Sequence, residues 1–465
     1  MQKTNFIALT GLLVLGITNQ VCAQQYISPH LIKPIKSAIS SSYKLKNQLA
    51  EASKSHLAME EVQGKKLPSV SANAAYAFFA NKGSFSNTLM VTGSSGNITL
   101  FEDLDRDLTN HGNIAMAGIT GKQIIFSGLQ ISSAVKALQE KTDAEKYLAQ
   151  ATEESIALDA ITTFDQLMLL SEVEKLIEDS RKRLNKEDEY VNAAINNGLA
   201  IPYDRDKIKL AILELEAKTA ELEGNRALLK QKLQTLTHLD ATDVDSVVYS
   251  LDPIMLAEVS GTIENRYEIK ALRSSVNAYQ YLLKKEKGAA LPQVFLFGNV
   301  AYFNLFDSRL KLKNTLLVEN INFNINTFNL LPAAFIGVGA KIDIYSGGHI
   351  KHKVKQAQLD IDISQNKLQD ATEQLNLLLS KNKVTYNTAN KVTSVKEQQI
   401  KVAKNNNESA ARQYREGLIS ITERLATENE FFVSSLAYYM QIVEQRKSAL
   451  EVLHASGNLL STILK

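Results

Sequence analysis

The chain contains itself twice, and no other feature so narrows what it can fold into. The run Gly118-Ile-Thr-Gly-Lys-Gln-Ile-Ile-Phe126-Ser127-Gly128 returns as Gly337-Val-Gly-Ala-Lys-Ile-Asp-Ile-Tyr345-Ser346-Gly347, an offset of 219. Asn197-Gly198-Leu199 returns as Glu416-Gly417-Leu418 at the same offset, and Leu67-Pro68 as Leu291-Pro292 at 224. A repeat of this length is far longer than a solenoid unit, so the chain is a duplicated half-molecule. The small difference between the two offsets puts a variable loop between the Pro and the Ser-Gly pair of each half.

Both halves keep one internal order. A helix leads in, over 37–64 and 262–288, and a proline ends it, because proline has no N–H for the ladder and pushes its predecessor to extended geometry. Alternation follows. Val70, Ala72, Ala74, Tyr76 and Phe78 face one way, and Ser69, Ser71, Asn73, Ala75 and Ala77 the other. Near the end of the second half, Ile336, Val338, Ala340, Ile342 and Ile344 alternate with Gly337, Gly339, Lys341 and Asp343. This period of two predicts strands over 69–79 and 335–345, with partners over 113–126 and 293–304. Each is about ten residues, the length a tilted strand needs to cross a bilayer's hydrocarbon. The polar stretches 81–112 and 305–332 between them read as loops.

After Ser127-Gly128 and Ser346-Gly347 the period becomes helical. No proline lies between 69 and 201 or between 333 and 465. A helix over 130–196 would run roughly 100 Å at 1.5 Å per residue. The returning helices carry heptads: Ile208, Ile212, Leu215, Thr219, Leu222, Arg226, Leu229, Leu233 and Leu236, then Phe432, Leu436, Tyr439, Val443, Arg446, Leu450, Leu453, Gly457 and Leu460. Such rods suit a coiled tunnel; a soluble coiled coil explains the heptads but not the strands.

Residues 1–23 read as a secretory signal, with Lys3, an apolar run from Phe6 to Ile17, and Val21-Cys22-Ala23 before the cleavage point. Cys22 follows Val21 rather than a small residue, which argues against lipidation. A net charge of +2 with 22% charged residues gives no field for nucleic acid. Beyond the leader no stretch is long and apolar enough for a membrane helix, so a membrane crossing would have to be made by strands. Four strands cannot close around a channel, and a sheet in lipid cannot leave its edges unpaired. Several copies would have to pool their strands.

The sequence resembles the TolC-like outer-membrane efflux proteins over nearly all of the mature chain. The resemblance rests on the two Leu-Pro strand starts, on Ile125-Phe126-Ser127-Gly128 and Ile344-Tyr345-Ser346-Gly347-Gly348, on Asn265-Arg-Tyr-Glu-Ile-Lys-Ala271-Leu272, and on Tyr414-Arg-Glu-Gly417-Leu-Ile-Ser420-Ile-Thr-Glu423-Arg-Leu425. It implies an α+β membrane protein: long antiparallel coiled-coil helices forming an α-barrel, and four membrane β-strands per chain that complete a 12-stranded β-barrel in a homotrimer. It further implies a passive exit duct of a tripartite efflux or type I secretion system, in the outer membrane with its helices in the periplasm. A periplasmic adaptor and an inner-membrane transporter would be its partners. The other reading is an exported coiled-coil scaffold without channel activity. Nothing in the sequence calls for a cofactor or points to an enzyme.

The same resemblance places the tunnel's inner tip at the helix-to-helix turns, with Gly198, Leu199 and Asp204 on one and Gly417, Leu418, Ser420 and Glu423 on the other. These are the expected adaptor contact. Glu423 falls where relatives carry an acidic constriction, although the next such position is Ala426 here. Ser420-x-x-Glu423 is equally a helix capping box, and Asp204, just after Pro202, an ordinary first-turn acid. Gly118 to Gln123 lacks the first glycine and the hydroxyl of a phosphate loop, Gly337-x-Gly339 lacks a third glycine, and His349 and His352 lack a third metal ligand. Tyr76, Phe78, Phe79, Tyr302, Phe303 and Phe335 read either as an interfacial aromatic belt or as plain lipid-facing packing.

The resulting division is a signal peptide at 1–23, an N-terminal segment and helix at 24–64, hairpins at 65–128 and 289–347, helical hairpins at 129–238 and 348–465, a linker at 239–261 and a helix at 262–288.

Overall fold

The computed structural model describes residues 27–93, 96–256, 261–313 and 320–464; the leader and Cys22 lie outside them. Two compact units are built from interleaved stretches of chain. One holds the chain up to Lys46, 149–267 and 372–465; the other holds 47–148 and 268–371.

The second unit is organised by a sheet of four strands, β1 (Ser69–Gly93), β2 (Gly96–Phe126), β3 (Gln293–Lys313) and β4 (Asn320–Lys341), in the order β1-β2-β3-β4 with every neighbour antiparallel. The two hairpins of the repeat therefore join side by side through β2 and β3, and β1 and β4 are each paired on one side only. At the end where the helices attach, Ser69 faces Lys122, Lys122 faces Phe297 and Phe297 faces Gly337. Further up, Tyr76, Ala115, Asn304 and Asn329 share one rung.

The strands outrun the reading made from alternation. The stretches 81–112 and 305–332, expected as loops, are largely strand. Ladder bonds need only extended backbone, and a polar side chain in contact with water does not oppose them; the first hairpin continues until Gly93 pairs with Gly96. At the other end β4 stops at Lys341, short of the expected 345, because Pro292 cannot donate and Gln293, paired with Lys341, is the last rung. Pro332 sits inside β4 at a bulge: Ala301 pairs with Ala333 but Phe303 with Leu330, so Leu331 and Pro332 together oppose Tyr302. A bulge leaves a residue unpaired, which suits one without an N–H.

The register gives the sheet two different faces. Val70, Ile119, Val300 and Ile336 lie on one face, and each is more than half exposed. The opposite face carries Lys122, and Asn299 donates there to Thr120 Oγ1 (2.7 Å). This parity divides the six aromatics. Tyr76, Phe78 and Tyr302 stand on the apolar face, whereas Phe79, Phe303 and Phe335 stand on the other, so the six form no single belt. Gly337 and Gly339 make room for rings: a methyl at Gly339 would meet Phe295 at 2.6 Å, and one at Gly337 would meet Phe297 at 3.1 Å.

The lead-in helix is broken. α1 (Ile32–Ser41) and α2 (Tyr43–Gly64) are separated by Ser42 at ψ 119°. α3 (Gln130–Asn196) and α4 (Pro202–Thr237) follow the first hairpin, then the short α5 (Ala241–Asp245), α6 (Tyr267–Gly288) before the second hairpin, and α7 (His349–Arg415), α8 (Ile421–Ala455) and α9 (Leu459–Ile463) after it. α3 and α7 are 67 residues each, with no proline in either.

In the first unit the heptads are half spent. On α4, Ile208, Leu215 and Leu222 are buried against Ile177, Leu184 and Val191 of α3, while Ile212 and Thr219, on the alternate seam positions, stay half-buried. The linker contributes to the core as well: Val244, Val247, Leu251 and Ile254 are buried. Gln445 of α8 ties it down, accepting from the Ile254 N–H (2.9 Å) and donating to the Ile254 carbonyl (2.7 Å). Arg446, on the expected apolar seam, is buried and ion-paired to Asp165 of α3 (2.9 Å), and its Nη1 donates to the Asp252 carbonyl.

Candidate functional site at the helix-to-helix turns

Both turns close by the same local chemistry. After α3 the N–H of Gly198 donates to the Ile195 carbonyl (3.0 Å) and that of Leu199 to Ala194 (2.8 Å); after α7, Gly417 donates to Tyr414 (3.0 Å) and Leu418 to Gln413 (2.9 Å). These paired bonds satisfy the last helix carbonyls and require a left-handed residue at the turn. Gly198 and Gly417 supply it at φ 72° and 74°, a conformation that penalises any Cβ. Leu199 and Leu418 are then left 82% and 69% exposed, which makes them the projecting apolar tips of the two turns.

The helices that follow start differently. α8 is capped by Ser420, whose Oγ accepts from the Glu423 N–H (3.2 Å) while Glu423 Oε2 accepts from the Ser420 N–H (2.8 Å). The capping-box alternative is thus realised, and those bonds hold the Glu423 carboxyl below the usual carboxylate range. α4 has no side-chain cap. It begins at Ile201 with Pro202 in its first position, and Asp204 pairs loosely with Lys207 (4.0 Å).

Contacts bring the turns together. Lys207 Nζ donates to Thr422 Oγ1 (2.9 Å), and Tyr190 Oη donates to the Arg415 carbonyl (2.9 Å). The Tyr190 and Tyr414 rings meet edge-on at 6.0 Å. Burial, followed by the charges of Asp204 and Glu187, pushes the Tyr414 hydroxyl up to about 12, so it stays protonated at any ordinary pH.

Behind the turns lies a buried ion cluster that sequence reading missed. Arg424 of α8, 1% exposed, donates through Nε to Glu187 Oε1 (3.1 Å), through Nη1 to Asn407 Oδ1 (2.7 Å) and through Nη2 to Glu428 Oε2 (3.3 Å). Glu428 also accepts from Arg183 (2.8 Å), Ser180 (2.8 Å) and Asn407 (2.9 Å). Burial raises the Glu428 carboxyl, but these donors outweigh it and leave the group below its ordinary value. The cluster spans α3, α7 and α8. Its one signal in sequence is the spacing of Arg424 and Glu428, one helical turn apart beside the apolar seam, and helix surfaces are full of such pairs. Gly118 to Gln123 forms no phosphate loop; it lies within β2, paired on both sides.

An open antiparallel sheet with an exposed apolar face is joined along the chain to two pairs of very long helices. The chain has the fold of the TolC-like outer-membrane efflux proteins. It is similar to the OprN outer-membrane channel (TM-score 0.70, 14% identity, 93% of this chain and 91% of that one). It is also similar to the CmeC outer membrane channel of Campylobacter jejuni (0.69, 15%, 93% and 87%) and to the outer membrane protein VceC of Vibrio cholerae (0.68, 15%, 94% and 98%). In sequence it matches the outer membrane efflux protein BepC of Brucella suis biovar 1, 23% identical over 274 residues. That match covers 57% of this chain and 56% of BepC, just over half the length of the relative. No protein-family model matches the sequence.

Proposed function

We propose that this protein is an outer-membrane channel, the passive exit duct of a tripartite efflux or type I secretion system. It works as a homotrimer whose four-stranded sheets close into one 12-stranded barrel in outer-membrane lipid, with the helices in the periplasm. The observation that carries this reading is the sheet itself. β1 and β4 are each hydrogen-bonded on one side only, and an open edge cannot persist in hydrocarbon, where no water satisfies it. Pairing β1 of one copy with β4 of the next removes every edge. The helices support the same assembly: Leu377 and Val384, then Val395 and Val402, recur at heptad spacing on α7 and are half exposed or more, an unpartnered seam of the kind that drives coiled-coil packing. Transport through such a duct needs no catalytic step by this chain.

The turns 198–204 and 417–423 are the contact for a periplasmic adaptor coupled to an inner-membrane transporter, with Leu199 and Leu418 as its apolar anchors. Glu423, exposed and held ionised by its cap, lines the constriction, where a trimer would present three fixed negative charges. Reconstitution into a planar bilayer tests the duct: discrete conductance steps and a detergent-resistant trimer are expected, and a chain that extracts without detergent and conducts nothing is a scaffold. Glu423→Gln, which keeps a capping acceptor, should lower cation preference, and Glu423→Lys should lower it further. Unchanged selectivity in both would remove Glu423 from the pore.

A further inference from the structure

The chain's near-neutral charge hides a local concentration of basic residues. The four junctions between strand and helix, 62–69, 119–139, 281–294 and 339–356, together contain eleven lysines and two carboxylates, Glu286 and Asp343, although the whole chain carries only +2. The sheet's register gathers all four at one end, since Ser69 pairs with Lys122 and Gln293 with Lys341. All four belong to one compact unit. In a barrel closed as proposed above, this end lies at the boundary of the hydrocarbon on the helical side.

Within that belt one concavity has the shape of a site. A cavity of about 490 Å³ is bounded by Lys136 of α3, Lys284 and Lys287 of α6, the Tyr281 ring, and Leu129 and Leu291. Lys136 and Lys284 both stand over the Tyr281 ring, their Nζ atoms 5.6 and 4.8 Å from its centre. Among the described residues no carboxylate lies within ion-pairing distance of these three lysines. The walls are held close by two glycines. Gly128, at φ 64°, packs on Gly288 so tightly that a methyl there would sit 2.5 Å from the Gly288 carbonyl oxygen. Leu129 and Leu291, 54% and 40% exposed, leave apolar surface open beside the charges.

Three ammonium groups beside exposed leucines match a phosphate attached to an acyl chain. We infer that this pocket binds the headgroup phosphate of an anionic phospholipid in the leaflet on the helical side, with the acyl chains running up the apolar face of the sheet. The inference rests on the membrane reading above. Lysines at an anionic lipid surface each strengthen binding by about fivefold, and their stems can lie on apolar surface while the charge stays in the headgroup layer.

The test uses the full chain in detergent, stripped of lipid and titrated with short-chain phosphatidylglycerol, with binding counted by native mass spectrometry. Saturable binding is expected, weakened about a hundredfold in Lys136→Gln/Lys284→Gln/Lys287→Gln and retained in the corresponding triple arginine variant. Removing three exposed lysines elsewhere, Lys381→Gln/Lys391→Gln/Lys404→Gln, should change nothing. Wild-type affinity in the pocket variant overturns the site. Equal binding of phosphatidylcholine overturns the role of charge, and equal binding of inorganic phosphate makes it a free-anion site rather than a lipid site. Loss of conductance with lysine-dependent lipid binding intact would sink the duct and spare the pocket; the reverse result would sink the pocket and spare the duct.

Discussion

Arg205 and Arg424 are the same residue of the duplicated half, 219 positions apart, each in the first turn of a returning helix. Arg205 lies at the surface and forks onto Asp188 (2.9 and 3.1 Å), with both side chains partly in water. Arg424 is sealed from solvent among Glu187, Glu428 and Asn407. Duplication supplied both halves with an arginine at the turn, but their partners diverged. The position equivalent to Glu428 is Lys209, exposed and bound to Asp206. One copy thus ties its turn to three helices through buried charge, while the other is fastened by a pair partly in water. An exposed ion pair is screened and contributes little; a buried one leaves its partners charged and unsolvated when it is broken. The α7–α8 turn is therefore fastened by buried charge and the α3–α4 turn by a partly hydrated pair.

The comparison can be broken most forcefully at Arg424. Arg424→Met should destabilise the helical unit by about 3–5 kcal/mol, read as a lowered denaturant midpoint by circular dichroism in detergent; a shift near zero would show that the cluster is not a lock. Acid should act on the same cluster. Glu428 binds its proton less readily folded than unfolded, so its contribution is complete above the ordinary carboxylate range and fades as pH falls through and below it. Glu428→Gln should flatten that acid limb, and an unaltered limb would assign it to other carboxyls.

The caps offer a smaller contrast. Ser420→Ala should cost about 1 kcal/mol, the usual worth of an N-cap hydroxyl, and Ile201→Ser, which gives α4 the cap it lacks, should recover part of that. If both variants melt like the wild type, helix starts do not limit the tip. The smallest effect belongs to Arg205→Met, which should leave the midpoint unmoved. A loss comparable to that of Arg424→Met would erase the distinction between the turns.

Much of the architecture was legible in the sequence because its signals are local. Proline and glycine punctuate the elements, the periods of two and of seven select strand and helix, and Gly198 and Gly417 mark the turns whatever surrounds them. The strand lengths were less so. Alternation reports a sheet with one apolar face, and the ladder of β1 and β2 runs on beyond the alternating stretch. The candidate site divides in the same way. Ser420 and Glu423 could be paired by counting three residues, whereas Glu187 and Asn407 reach Arg424 from two other helices.

By itself, then, the sequence determined a twofold chain of strands and rods and the positions of its turns, since these follow from spacing along a single backbone. Only the tertiary structure decided which arginine is buried, which face each aromatic takes and that eleven lysines from four distant junctions share one end of the sheet. Burial and charge depend on neighbours brought in from elsewhere in the chain, and no local pattern encodes them.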